Sequence, residues 1–327
     1  MTSLHRFLLG RAAHALVVIA IVVSLAFVLV RVAPGDPFRA GLDDPAMSEG
    51  MRNRMREQFG YDRPVAEQYA RWVGSIVRGN LGWSHSMGRP VFEVLRDRIP
   101  NTVLLMSVGL GFGLAAGIAL GAWQGARHGT RAERLSSAAA LAVLSCPEFL
   151  LGMGAIAVLG ARWRLFPIGG MVDPAMHDGM GTGARVLDVL HHLTLPALTL
   201  AVAVAAVVSR YQRTSMITVL PEEFIRTARG KGARERTVIY AHALRNALGP
   251  VITVSGLLLP ALVGGAVFVE SVFAWPGMGR ALVDAVNGRD YPLVVGSVLV
   301  TGTFVTLGTA ISDVLGSAAD PRIGQGK

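Results

Sequence analysis

The chain has 327 residues, 52% of them hydrophobic and 16% charged, with a mean hydropathy of +0.47. An average soluble domain carries about 25% charge, so an ordinary soluble fold is disfavoured and an integral membrane protein is expected. The net charge of +9 would suit a nucleic-acid binder, yet the basic residues cluster between apolar runs instead of lining one amphipathic face, so no nucleic-acid partner is expected.

From the N-terminus, the apolar run Ala12–Val32 is longer than a signal-peptide core, and Arg31 with Pro34-Gly35-Asp36-Pro37 follows it instead of a small-residue cleavage site. It reads as a retained first transmembrane helix. A helix needs about 20 apolar residues to cross the hydrocarbon. Six segments qualify: 12–32, 103–123, 137–160, 193–210, 250–270 and 292–314. Both termini then lie on one side. With that side cytoplasmic, its short connections hold fifteen Arg and Lys against five on the other, as the positive-inside rule requires. Residues 33–100 are too long for the rule and form an outside unit, in which Tyr69, Trp72, Val73, Ile76 and Val77 make one apolar face of a short helix. That face could rest on headgroups, pack on the bundle or receive a protein, and packing is the plainest reading.

In the second span Gly109, Gly113, Gly117 and Gly121 recur every fourth residue and leave a groove for a neighbouring helix backbone. Gly256, Gly264, Gly265, Gly296, Gly302 and Gly308 loosen the fifth and sixth spans in the same way, or let those helices bend. Cys146, the one cysteine, lies in the third span, so an intrachain disulfide is excluded. Three carboxylates, Glu148, Glu270 and Asp313, lie in or at the edges of spans, where an acid must face protein or water. Glu148, after Pro147, could meet a cationic group on a solute or bond to a freed backbone group or an arginine. The stretch Arg162–His192 reads as an ordered turn at Leu165–Gly170 followed by a flexible crossover. Its His177, His191, His192, Asp173, Asp178 and Asp188 lack a metal-binding spacing, and no metal is expected. In the fourth span Pro196 is expected in the first turns, where its missing N–H costs least.

The connection 210–249 is basic and helix-forming. Pro221 suits the first helical position, Glu222 and Glu223 the positive first turn, and Arg226, Arg229 and Lys231 the negative last turn. Gly232 fits a left-handed cap, giving a helix of about ten residues. Phe224, Ile225 and Ala228 give it apolar contact positions. A second helix from about Arg234, with Val238, Ile239, Ala241, His242 and Leu244, completes a rigid protrusion. It could dock a protein or lie on anionic lipid. The chain has no G-x-x-x-x-G-K-[ST] loop, no H-E-x-x-H and no G-x-S-x-G, so no motif supports ATP binding, zinc hydrolysis or a nucleophile elbow, and no enzyme is expected.

At this loop Arg226-Thr227-Ala228, three residues, Gly232, and then His242-Ala243-Leu244-Arg245-Asn246 resemble the inner-membrane permeases of ATP-binding-cassette importers. Within them the match is to the dipeptide/oligopeptide/nickel branch, B-type subunit. The loop departs from the general EAA-x3-G motif at its glutamate and at a later Leu-Pro. The resemblance runs through PGDP at 34–37, YDRP at 61–64, QYARWV at 68–73, GNLGWS at 79–84, FPIGG at 166–170, HLTLPALTLA at 192–201, ESVFAWPGMGR at 270–280, RDYP at 289–292 and DPRI at 320–323.

It implies an all-α, six-helix, type I importer permease fold in the bacterial inner membrane, with an extracytoplasmic segment between helices 1 and 2. The implied domains are 1–100, a core at 101–318 and a cytoplasmic tail at 319–327. It also implies a homologous second permease, two cytoplasmic ATPase subunits that hold the ATP and Mg, an extracytoplasmic solute-binding protein, and membrane lipid around the chain. This chain itself would carry no cofactor. Glu223, Phe224, Arg226, Thr227, Ala228, Lys231 and Gly232 would then couple to the ATPases, with Glu148 and Glu270 on the translocation path. The implied cargo is di- or oligopeptides, with nickel or another small solute as the alternative in the family. An ion-coupled secondary carrier using Glu148 and Glu270 is the alternative of another class.

Overall fold

The structure, a computed structural model, describes residues 10, 13, 16–28 and 64–319, without the side chains of 259–262, 264, 265 and 311–319. The motifs at 34–37 and 320–323, the tail, Gly264, Gly265 and the Asp313 side chain lie outside the described residues. The elements in order are α1 (Leu16–Val28), α2 (Val65–Val77), a hairpin of β1 (Trp83–Ser84) and β2 (Arg89–Pro90), α3 (Val91–Ala126), α4 (Arg131–Ser145) and α5 (Glu148–Arg162). They continue with α6 (Thr182–Val219), α7 (Glu223–Gly230), α8 (235–247), α9 (Gly249–Val272), α10 (Met278–Asn287) and α11 (Tyr291–Ala319). Among the described residues three helices, within α3, α6 and α11, are long and apolar enough to cross a membrane. The bent pair α4 and α5 makes a fourth if it counts as one span.

The residues group into two units. One comprises residues 1–100 and 277–306, and the other 101–276 and 307–327.

In the first unit, the apolar face expected on 69–77 packs inward. Trp72, Val73 and Ile76 of α2 lie against Val23, Ala26, Val295 and Leu299. Tyr69 Oη is 2.7 Å from Ser24 Oγ, and Phe27 meets the Tyr69 ring edge-on. Val77 alone of that set stays exposed. The β1–β2 hairpin is tied by one carboxylate: Asp290 accepts from Ser84 Oγ, from Ser86 Oγ at 2.7 Å and from Ser86 N at 2.9 Å. Its other oxygen accepts from Leu293 N at 3.2 Å, satisfying an orphan donor at the start of α11. Asp290 thus joins the segment Arg289–Pro292 to the one that holds Ser84 and Ser86. Val91, Val94 and Leu95 at the start of α3 bury against Met278, Ala285 and Leu293. Gly296 is required beneath them, since a Cβ there would stand 2.6 Å from Val91 Cγ1.

In the second unit the glycine stripe meets α6. A Cβ at Gly109, Gly113, Gly117 or Gly121 would stand 2.8, 2.6, 2.6 or 2.5 Å from Leu200 Cβ, Val204 Cβ, Val208 Cβ or Ser209 O. Gly125 extends the row to Met216. The core around this seam holds Leu105, Leu193, Leu195, Val269, Phe273 and Trp275.

Three expectations are corrected. The third span is not one straight helix, because α4 and α5 meet at 106° across Cys146-Pro147. Proline disfavours α geometry for the residue before it, and Cys146 is extended here, at φ −97°, ψ 126°. Helix α6 begins at Thr182, so residues 182–192 are helical instead of crossover, and Pro196 lies about four turns inside the helix. Pro221 stands outside α7, whose N-cap is Glu222. Without an N–H it helps to end α6 at Val219.

Candidate functional site

The candidate site is the protrusion made of α7 and α8, built on the end of α6. Ile225 is fully buried with Val238, Ala243 and Ala247 against Met216 of α6 and Ala122 of α3. These three residues of α8 fall on one side because Val238–Ala243 is a π-turn, which adds a residue and rotates the face. A 3.6-residue period does not predict this, and Ala241 and His242, expected among the contact positions, are exposed.

The C-terminal cap of α7 has the full Schellman pattern. Gly232 takes φ +79°, Gly232 N donates to Arg229 O at 2.9 Å, and Ala233 N donates to Ala228 O at 3.2 Å. Ala228 and Ala233 pack together on the buried cluster, the apolar contact that accompanies this cap. Across the turn Arg229 grips Glu235 with two bonds, Nε to Oε2 at 3.1 Å and Nη2 to Oε1 at 2.8 Å. The bonding from Arg229 holds the Glu235 carboxyl below the usual carboxylate range.

The predicted contact residues therefore divide. Phe224 is 44% exposed although it is large and apolar, and Glu223, Arg226, Thr227 and Lys231 are exposed beside it. Thr227 Oγ1 donates back to Glu223 O at 3.0 Å. Ala228 leans on the protein's own core, and Gly232 is fixed by its cap. Most of the apolar side of the protrusion is spent on the bundle, so the outward face is largely charged, with Phe224 of α7 and Tyr240 of α8 the large exposed side chains on it. That arrangement disfavours a hairpin lying on lipid, which needs an apolar face outward.

A groove of about 400 Å³ runs beside this seat, lined by Arg210, Tyr211, Thr214, Ser215, Thr218, Val219 and Pro250. It leaves this end of α6 accessible beside the protrusion.

Sequence reasoning missed the polar ties beneath the protrusion. Glu133, only 3% exposed, accepts from Arg213 Nε at 2.7 Å and Ser137 Oγ at 3.0 Å through one oxygen, and from Gly129 N at 3.3 Å through the other. Thr130 Oγ1 accepts from Glu133 N at 3.2 Å, capping α4. The spacing Thr130-x-x-Glu133 is a capping-box signal that would have found the pair of cap residues, though not Arg213. Gln212, next to Arg213, is fully buried, and neither amide atom has a hydrogen-bond partner among the described residues.

The acids of the spans are treated differently by the fold. Glu148 is half-buried at the first turn of α5, just past the bend, and no hydrogen bond or ion pair reaches it among the described residues. Glu270 is fully buried and accepts from Thr102 Oγ1 at 2.6 Å. Around it Trp275 N donates to Glu270 O at 2.9 Å, Trp275 Nε1 to Asn101 O at 3.0 Å, and Asn101 Nδ2 to Pro276 O at 2.9 Å. Gly170 N donates to Phe273 O at 2.8 Å, so the segments 166–170 and 270–276 lock into one turn assembly.

The histidines bond to groups of the chain's own fold. Asp188 receives His177 Nδ1 at 2.7 Å and His192 Nδ1 at 3.0 Å, while His191 turns away to Leu165 O at 3.0 Å. No metal-binding group of three or more such residues occurs among the described residues.

Residues 113–325 match the family model of the binding-protein-dependent transport system inner membrane component, and residues 4–106 match that of the membrane component's N-terminal region. A Brucella ovis protein, named provisionally as a peptide permease, is 40% identical over 98% of both chains. The oligopeptide transport system permease protein AppB of Bacillus subtilis is 36% identical, over 97% of this chain and 98% of its own. The dipeptide transport system permease protein DppB of Escherichia coli K12 is 34% identical, over 91% of this chain and 93% of its own. With the glycine-packed bundle, the capped protrusion and these full-length matches together, the chain belongs to the family of inner membrane components of binding-protein-dependent transport systems.

Proposed function

We propose that this chain is the translocation subunit of an importer of di- or oligopeptides, and that ATP hydrolysed by two partner subunits drives it through the protrusion α7–α8. The observation that carries this reading is the exposed Phe224, flanked by Arg226 and Lys231, on a helix whose other apolar residues are already buried in the bundle. A large apolar side chain held outward on a rigid, well-capped support is what a docking anchor needs. The names of the relatives, all peptide permeases, support peptides as the solute. ATP and Mg would reside in the partners, since this chain has no phosphate-binding loop.

The remaining parts of the reading follow from it. The chain would cross the inner membrane six times with both termini cytoplasmic, placing 33–100 outside with the solute-binding protein and α7–α8 inside. Domains at 1–100, 101–318 and 319–327 go with that topology. A homologous second permease would complete the path. Glu148, accessible at the bend, is the acid assigned to the path and would meet the free amine of a peptide. Glu270, which accepts from Thr102 Oγ1 in this conformation, would be the second acid of the path. ATP must favour one state of the assembly over the other, since a ligand that binds both equally shifts nothing.

The test is reconstitution with the ATPases, second permease and binding protein. Phe224→Ser should leave the chain inserted and folded but reduce recovery of the ATPase subunits and ATP-driven uptake together. Uptake by this chain alone under an ion gradient would sink the reading in favour of a carrier. Glu148→Gln should lower uptake of free-amine peptides more than of N-acetylated ones.

A further inference from the structure

We propose that the Glu133–Arg213 ion pair is the mechanical link that carries displacement of the protrusion α7–α8 into the bent span α4–α5, making both residues positioning residues for transport. The inference rests on the protrusion being the place where the ATPases act.

Its first support is where Arg213 sits. It lies one turn before Met216 on α6, and Met216 is the floor against which Ile225, Val238, Ala243 and Ala247 are packed. Any push on the protrusion therefore bears on the turn of α6 that holds Arg213. The second support is how α4 is held. Of its side chains only Glu133 and Ala140 are buried, while Leu135 and Leu141 are 73% and 55% exposed. Glu133 is thus the charged anchor of α4 and is fastened to α6, while Ser136 Oγ, which accepts from Gln124 Nε2 at 3.1 Å, ties the same helix to α3.

The third support is how fully Glu133 is committed. Helix capping alone would use Thr130 and the bond to Gly129 N. The remaining oxygen is spent on Arg213 at 2.7 Å and Ser137 at 3.0 Å, so α4 cannot shift against α6 without stripping a desolvated carboxylate of its cation. His128, 3.9 Å from Glu133 and 3.4 Å from Arg213, is the other titratable group beside the pair. The fourth support is where α4 leads. Its far end is the 106° bend at Cys146-Pro147, followed at once by Glu148. A helix of fifteen residues is a lever of about 22 Å, so rotation at Glu133 reappears as movement of the bend.

The experiment uses the whole reconstituted transporter and reads solute taken up per ATP hydrolysed. Glu133→Gln and Arg213→Gln should each retain the ATPase subunits yet lower that ratio by about fivefold or more. Arg213→Lys, which keeps the charge, should hold it near the wild-type value. A ratio within twofold of wild type in both neutral variants overturns the proposal. Phe224→Ser separates this failure from that of the underlying reading: if it also leaves uptake per ATP and ATPase recovery unchanged, the protrusion is not the input site.

If the charge variants do not fold, a second measurement decides. Spin labels at the exposed positions Leu135 and Tyr211, in a Cys146→Ala background, should keep their separation between the nucleotide-free and ATP-trapped states. A change in that separation means α4 and α6 move independently, and the link is refuted.

Discussion

Replacing Gly113 by alanine should separate the two central helices of the second unit, and Gly111 provides a control two residues away. The new Cβ at 113 would lie 2.6 and 2.7 Å from Val204 Cβ and Cγ1 and 2.9 Å from Ala201 O. Ordinary carbon contacts are roughly 3.5–4.0 Å, so about 1 Å must be found. Val204 cannot swing aside, since a β-branched side chain in a helix has essentially one rotamer, and Ala201 O is backbone. The helices must therefore part, which loosens contacts along the whole row from Gly109 to Gly125. Overpacking of this kind costs about 1–3 kcal/mol, with the upper end expected because the obstruction is backbone. Alanine returns about 1 kcal/mol of helix propensity, leaving a net loss of about 2 kcal/mol.

At Gly111 nothing lies within 4 Å, so only the propensity gain remains. At about 2–4 °C per kcal/mol, Gly113→Ala should lower the unfolding midpoint by about 4–8 °C while Gly111→Ala raises it slightly. Thermal unfolding of the purified chain in one detergent, followed by tryptophan fluorescence, measures both. Equal midpoints for the two variants would refute the close-packed seam.

Further outcomes are expected from the same reasoning. Ile225→Asp should disorder the protrusion, seen as loss of amide protection over 223–247, because it buries a carboxylate among Met216, Val238, Ala243 and Ala247; protection equal to wild type would contradict the packing. Glu270→Gln should be tolerated, since an amide oxygen can still accept from Thr102, whereas Glu270→Leu, which removes that acceptor from a buried hydroxyl, should destabilise by about 1–3 kcal/mol, measured by chemical denaturation. Gln212→Met should stabilise by a similar amount, as it removes a buried amide with no partner, and a lowered midpoint would show that the amide is satisfied. The Arg229–Glu235 pair contributes above the unfolded carboxylate pKa, because the folded value is depressed, and its contribution is lost as pH falls through that lower folded value. Hydrogen exchange over 226–236 at low salt should therefore distinguish Glu235→Gln from wild type near neutrality and not in acid.

Some of this architecture is readable from residue spacing. The glycine row, the apolar face of α2 and the left-handed Gly232 each follow from one local rule, and the structure shows a partner or a torsion angle for each. Hydropathy proved a poor guide to helix ends. Helix α6 continues to Thr182 through polar residues because hydropathy marks the apolar length, while Asp188 and His192 help hold the overhang. The bend at Cys146 was hidden inside an apolar run, although the proline that causes it was in view. The π-turn in α8 shifts a face by one residue, which no periodic pattern announces. Glu133 and Arg213 are 80 positions apart, and nothing local in either segment points to the other.

Asp290 has a consequence for the order in which the chain is made. Its partners Ser84 and Ser86 precede it by 206 and 204 positions. At about 5–20 residues per second, the ribosome needs about 10–40 s to deliver the carboxylate after the hairpin has emerged. Until then those two hydroxyls wait without the acceptor that fixes them. A chain cut short before its last helix would therefore betray itself at the hairpin, a place where quality-control proteases could read that synthesis had not finished.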